Sequence, residues 1–188
     1  MSGILNRSDM SNLPERAGTR LAYHELTRTL IAHTKSRAEP TPRNRLFFRS
    51  AREARFQPVM EFPDPISIGS FALDNRRPFL YFVTEVWTTL PGTLPGTGTP
   101  VGDWDGLYRF HLGEHRAERL TWRGDIRPPF DIERTWLPAI LSVSDEGRSV
   151  FCIAGFEVDW RAEYWMCELE LAGMRLKPVT RLEIDVFM

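Results

Sequence analysis

The stretch from Leu141 to Thr180 repeats, in shortened form, the stretch from Ser70 to Thr121. Each reads as an apolar run, a polar turn built around an aspartate, a long apolar run, a connection, a further apolar run and an Arg-rich ending. A small unit of this kind cannot bury its apolar faces alone, so repetition predicts a row of stacked units. That constrains the architecture strongly and says nothing about a reaction.

Matching the copies lays Asp74-Asn75-Arg76-Arg77-Pro78-Phe79-Leu80-Tyr81-Phe82-Val83 on Asp145-Glu146-Gly147-Arg148-Ser149-Val150-Phe151-Cys152-Ile153-Ala154 without a gap. Farther along, residues 106–112 fall on 164–170, and Arg119-Leu120-Thr121 on Pro178-Val179-Thr180. Each copy is therefore expected to hold three or four short strands joined by tight turns. A third copy is expected ahead of these, with 21–32 lying on 141–152 and Leu46-Phe47-Phe48 and 54–59 supplying its later strands. A helix between 14 and 37 is the competing reading there. Asn12 and Pro14 suit a helix start, and Leu13, Ala17, Leu21 and Leu26 can share one face. Residues 1–18 show no clear period and are expected to be partly flexible or an edge strand. Residues 19–188 are expected to form one domain, with copies over 19–62, 66–122 and 137–183.

The motif Leu-Ser-Val-Ser-Asp-Glu-Gly-Arg-Ser-Val-Phe, 141–151, resembles the blade signature of TolB-like β-propellers. Residues 107–121, Leu-Tyr-Arg-Phe-His-Leu-Gly-Glu-His-Arg-Ala-Glu-Arg-Leu-Thr, are similar to that family's third and fourth strands. In the turn, Asp145 is expected to accept hydrogen bonds from backbone amides and Gly147 to take the positive φ that branched residues resist. The middle copy departs from the pattern, with Arg76 where the turn glycine should stand. The resemblance covers about residues 66–183. It implies an all-β fold, a partial β-propeller of about three four-stranded antiparallel blades, and a role in protein interaction. Closed propellers generally need about four blades or more. Three copies would leave open apolar faces, so a homodimer completing six blades is expected.

Composition narrows the partners. The chain has 188 residues, 42% of them hydrophobic, with 14 Pro and 13 Gly, which suits strands and turns backed by a real core. Of 24 basic residues only Lys35 and Lys177 are lysines. The 25 acidic residues are interleaved among the arginines, so no basic stripe of the kind nucleic acid requires emerges. No segment approaches the ~20 apolar residues of a membrane span, and the first residues carry no secretory pattern. The expectation is a cytoplasmic protein without nucleic-acid or membrane partners. Cys152 and Cys167 sit opposite each other if a hairpin is centred between Asp159 and Trp160. In a reducing compartment they are expected to be two buried thiols rather than a disulfide.

The candidate contact residues are tryptophans. The Pro- and Gly-rich segment 88–106 is expected to be a long loop, carrying Asp103-Trp104-Asp105, two carboxylates flanking an indole. Trp160 and Arg161 occupy the corresponding hairpin tip, 157–163. Rings in loops suit recognition because they offer large area at low entropic cost. Trp87, Trp136 and Trp165 are expected to pack between blades. Catalytic and metal constellations are not found: His24, His33, His111 and His115 lack ligand spacing and read as surface or turn residues, and no Gly-x-Ser-x-Gly elbow occurs. No cofactor is expected. The leading function is a non-enzymatic module binding a protein or peptide through a propeller loop face. A carbohydrate-binding, lectin-like propeller and a propeller lactonase or hydrolase are the alternatives.

Overall fold

The computed structural model describes residues 19–35, 44–50, 52–53, 55–62, 66–88, 101–122, 126–127, 134–158 and 161–183. Their regular structure is entirely β. Strands β1 (Thr19–His24), β2 (Thr29–Lys35), β3 (Asn44–Ser50) and β4 (Gln57–Phe62) form the first sheet. The second contains β5 (Ile66–Asp74), β6 (Phe79–Thr88), β7 (Val101–His111) and β8 (Arg116–Trp122). The third contains β9 (Arg134–Val143), β10 (Ser149–Val158), β11 (Arg161–Glu170) and β12 (Arg175–Leu182). Each sheet is a simple antiparallel meander in chain order. The fold is therefore all-β, built from three four-stranded blade-like sheets, and the helix considered over 14–37 gives way to β1 and β2. Residues 1–18 lie outside the described residues.

The chain divides into two compact units, Met1–Asp64 and Pro65–Met188. The boundary falls between the first copy and the second. Shared burial is the reason. The second and third sheets close on one apolar core containing Tyr81, Val83 and Leu107 from one and Val150, Cys152, Phe156 and Leu169 from the other. The first sheet has its own cluster of Leu30, Ala32, Phe47 and Phe56, with Leu21 packed against it.

All three first-to-second-strand turns close over four residues, from pairs His24↔Thr29 and Asp74↔Phe79 and from Ser144, whose N–H donates to the Ser149 carbonyl at 2.9 Å. The residue at the turn's base is its cap in each. His24 Nδ1 accepts from the Thr27 N–H at 3.2 Å, Asp74 Oδ1 from the amides of Arg76 and Arg77 at 3.0 and 3.1 Å, and Ser144 Oγ from Ser149 at 3.1 Å. This corrects three expectations. Asp74 corresponds to Ser144 rather than Asp145, so the gapless alignment is displaced by one. The turn glycine Gly147, φ 62°, corresponds to Arg77. His24 and His33 are buried, not surface residues. The third-to-fourth-strand turns, based on His111↔Arg116 and Glu170↔Arg175, shift the 106–112 match by one as well. His115 and Met174 close these turns in the left-handed region at φ 53° and 48°, as Arg28 does the β1–β2 turn at φ 49°.

Within the second unit the first strands of the two sheets, β5 and β9, meet. Ser70 Oγ accepts the buried Ile140 N–H at 2.6 Å, fixing one first strand against the other. Between the sheets Ile126 is buried in the shared core, and Arg127 adds a short parallel bridge to the edge of β12. Its N–H donates to the Met174 carbonyl at 2.8 Å, and its own carbonyl accepts from Leu176 at 3.1 Å. The next β12 amide that such a ladder would use belongs to Pro178, which has none, so the edge is blunted there.

Candidate interaction surfaces

At one end of the second unit the turns of adjacent sheets are tied together. Arg76 pairs with Asp145 at 3.1 Å, and the Arg77 guanidinium donates to the carbonyls of Glu146 and Gly147. Asp145 is thus a partner for the neighbouring turn, not the amide acceptor expected of it. A β-carbon on Gly147 would stand 2.7 Å from Arg77 Nη1 and 2.8 Å from Asp74 Oδ2. Glycine is therefore favoured by its φ, and any larger residue would have to displace the Arg77 guanidinium.

Since these turns share one end, the β6–β7 and β10–β11 hairpins both run to the other. β6 continues to Thr88 and β7 begins at Val101, so Asp103-Trp104-Asp105 lies on a strand, and only the middle of the expected 88–106 loop falls outside the described residues. Glu85 pairs with Trp104 and Thr84 with Gly106, leaving Asp105 as the extra residue of a bulge. In the third sheet Val158 pairs with Arg161, and Gly155 with Tyr164. Trp160 lies outside the described residues and Arg161 is exposed. Counting along the paired strands, the equivalent of Trp104 is Tyr164 and not Trp160. Trp165 packs against the core as expected, its Nε1 donating to Glu163 at 3.2 Å.

Sequence reasoning expected open apolar end faces without naming their residues, and the outer face of the third sheet supplies candidates. Counted from the turns, Phe151 and Ile153 correspond to Tyr81 and Val83, and Met166 and Glu168 to Leu107 and Arg109. Tyr81, Val83 and Leu107 are 0% exposed beneath the third sheet, whereas Phe151, Ile153 and Met166 are only half-buried. A groove of about 620 Å³ opens on this face, with Phe151 along it and Glu168, Glu170 and Lys177 among its walls. Leu141 and Val179 of the same sheet are 48% and 54% exposed. Alternation on β10 and β11 signals one core face, but not which residues of the other face a neighbouring sheet covers.

Other polar groups are structural. Arg109 pairs with Glu118 at 2.5 Å and lies over the Phe79 ring at 4.7 Å. Burial raises the Tyr81 hydroxyl, an effect the nearby Arg109 partly opposes. His111 Nδ1 accepts from the Glu114 amide at 3.0 Å. Among the described residues no three His, Cys, Asp or Glu side chains gather as a metal site, and no helix is long and apolar enough to cross a membrane.

Cys152 and Cys167 are register partners, fully buried and free, with the Cys152 thiol donating to the Cys167 carbonyl at 3.7 Å. Burial pushes Cys167 up to about 11 and raises Cys152 well above the usual thiol range, with the charge of Cys167 adding to it. At pH 8 the folded protein should resist iodoacetamide, while the unfolded chain takes up two labels per molecule. The unfolded thiols ionise from about pH 8.5 upward and the folded ones do not. This contribution to stability is complete below that pH and is lost as the pH rises toward 11. Denaturant midpoints at pH 8 and 10 will check it, with a Cys152→Ala, Cys167→Ala double variant losing less than the wild type.

No family model matches the chain, so the TolB-like resemblance remains a likeness of motifs, and no curated protein matches it either. Among solved structures, a chain of a nidogen/laminin complex is similar over 87% of this chain and 48% of its own length, at 9% identity and a TM-score of 0.49. A putative dipeptidyl aminopeptidase IV from Bacteroides ovatus matches over 87% of this chain and 28% of its own, at 8% identity and a TM-score of 0.36. The chain spans about half the length of the first and under a third of the second. The blade-like description rests on strand order and register.

Proposed function

We propose that this chain is a non-enzymatic interaction module of partial-propeller type, which presents the rim of the β6–β7 and β10–β11 hairpins to a protein or peptide and works as a homodimer of half-rings. The observation that supports the rim is topological: segments far apart in sequence, Asp103-Trp104-Asp105 and the strand that begins at Arg161, belong to hairpins that run to the same end of the second unit. Indole, guanidinium and carboxylate at one rim suit an extended peptide with mixed polar and apolar contacts. A lectin-like site would need tryptophan at equivalent positions, and the place equivalent to Trp104 holds Tyr164. In quantitative affinity capture, Trp104→Ala with Trp160→Ala should reduce recovery of the proteins held by wild type about tenfold or more, with an unchanged circular-dichroism spectrum. Equal recovery from a folded double variant would remove the rim from the binding surface.

A further inference from the structure

The middle sheet shows what this kind of face does within the chain: Tyr81, Val83 and Leu107 are wholly covered by the neighbouring sheet. Their equivalents Phe151, Ile153 and Met166 are only partly buried, and Phe151 lines the 620 Å³ groove. Building on the reading of the chain as an interaction module that pairs with itself, we propose that this face docks the first unit of a second copy, head to tail.

Charge selects that occupant. The groove walls carry Asp145, Glu146, Glu168 and Glu170 against Arg148 and Lys177, and with Arg76, the ion-pair partner of Asp145, counted beside them the carboxylates outnumber the cations by one. Over 21–60 the described side chains of the first unit carry Arg28, Arg49, Arg52 and Arg55 against Glu25 and Glu53, the opposite balance. That unit also exposes apolar area, with Tyr23 at 50% and Leu26 at 60%. Repeat equivalence points the same way. Leu30 and Ala32 hold the places of Val150 and Cys152, through which the third sheet covers the second. They are themselves 4% and 0% exposed, so the docking contact falls on the margin around Tyr23, Leu26 and Arg28. A face-to-face pairing of two third sheets would instead set one acidic groove against another. The contact is therefore heterologous, and each chain supplies two different surfaces.

Light scattering on a size-exclusion column tests this with the full chain. The wild type should run as a dimer or larger, with affinity falling about tenfold or more between low and high salt as paired charges are screened. Glu168→Arg on the groove side, and Tyr23→Glu with Leu26→Glu on the first-unit side, should each weaken association about a hundredfold. Mixed in equal amounts, the two variants should associate again, because each retains the surface the other has lost. That restoration also shows both to be folded. A wild type that stays monomeric at high micromolar concentration would overturn both the docking and the homodimer, while the rim is judged separately by the capture experiment. A wild-type oligomer untouched by these variants, or variants that do not restore association on mixing, would overturn this pair of surfaces and leave self-association standing.

Discussion

Gly147→Val is expected to lower the stability of the second unit by about 3 kcal/mol, more than its size suggests. A non-glycine residue held at positive φ costs about 1–2 kcal/mol, and a β-branched one more. The new β-carbon would also lie 2.7 Å from Arg77 Nη1 and 2.8 Å from Arg77 Cζ, inside van der Waals contact. Arg77 would have to withdraw, releasing the carbonyls of Glu146 and Gly147 that it holds. Urea denaturation of Gly147→Ala with and without Arg77→Ala separates the two effects. If the glycine is needed for its φ and for the approach of Arg77 together, the alanine should be less costly in the Arg77→Ala background, by the part due to the clash. A loss of under about 1 kcal/mol in Gly147→Val would show that the turns can part at little cost.

Phe156→Ala should cost about 3–5 kcal/mol, the range for emptying a large buried site that cannot collapse. Phe156 is 0% exposed and lies in the core shared by the second and third sheets, where rigid pleated strands on both sides limit relaxation. Domain stabilities are typically ~5–15 kcal/mol, so this one substitution should bring thermal unfolding down by many degrees. Leu141→Ala, at a residue 48% exposed on the same sheet, serves as control and should change stability by about 0.5 kcal/mol or less. If both variants melt alike, the shared core does not hold the two sheets together.

Short strands joined by tight turns, in antiparallel sheets of about four, were legible because the repeat displays each twice. Cys152 and Cys167 were placed opposite each other from the hairpin centre alone, as the register shows. The exact match of copies was not legible. Leu80-Tyr81-Phe82-Val83 is apolar at every position because β6 is buried on both faces. A strand without alternation does not announce which residue faces which way, so an alignment can slip by one unnoticed. The turn closures, Asp74↔Phe79 and the Ser144–Ser149 hydrogen bond, settle it. Asp103-Trp104-Asp105 was misplaced in a loop for a related reason. Gly102 and Gly106 read locally as breakers, while pairing with β6 and a bulge at Asp105 extend the strand through them. His24 looked like a surface residue because nothing local signals that a histidine will cap a turn.

From sequence alone, then, came an all-β chain of repeated four-stranded sheets with a positive-φ glycine in one turn and two facing thiols, because strand periodicity and turn chemistry are local. Tertiary structure alone decided which faces are covered: Tyr81 and Phe151 hold equivalent places, and only the packing of a neighbouring sheet buries the first fully and leaves the second partly buried.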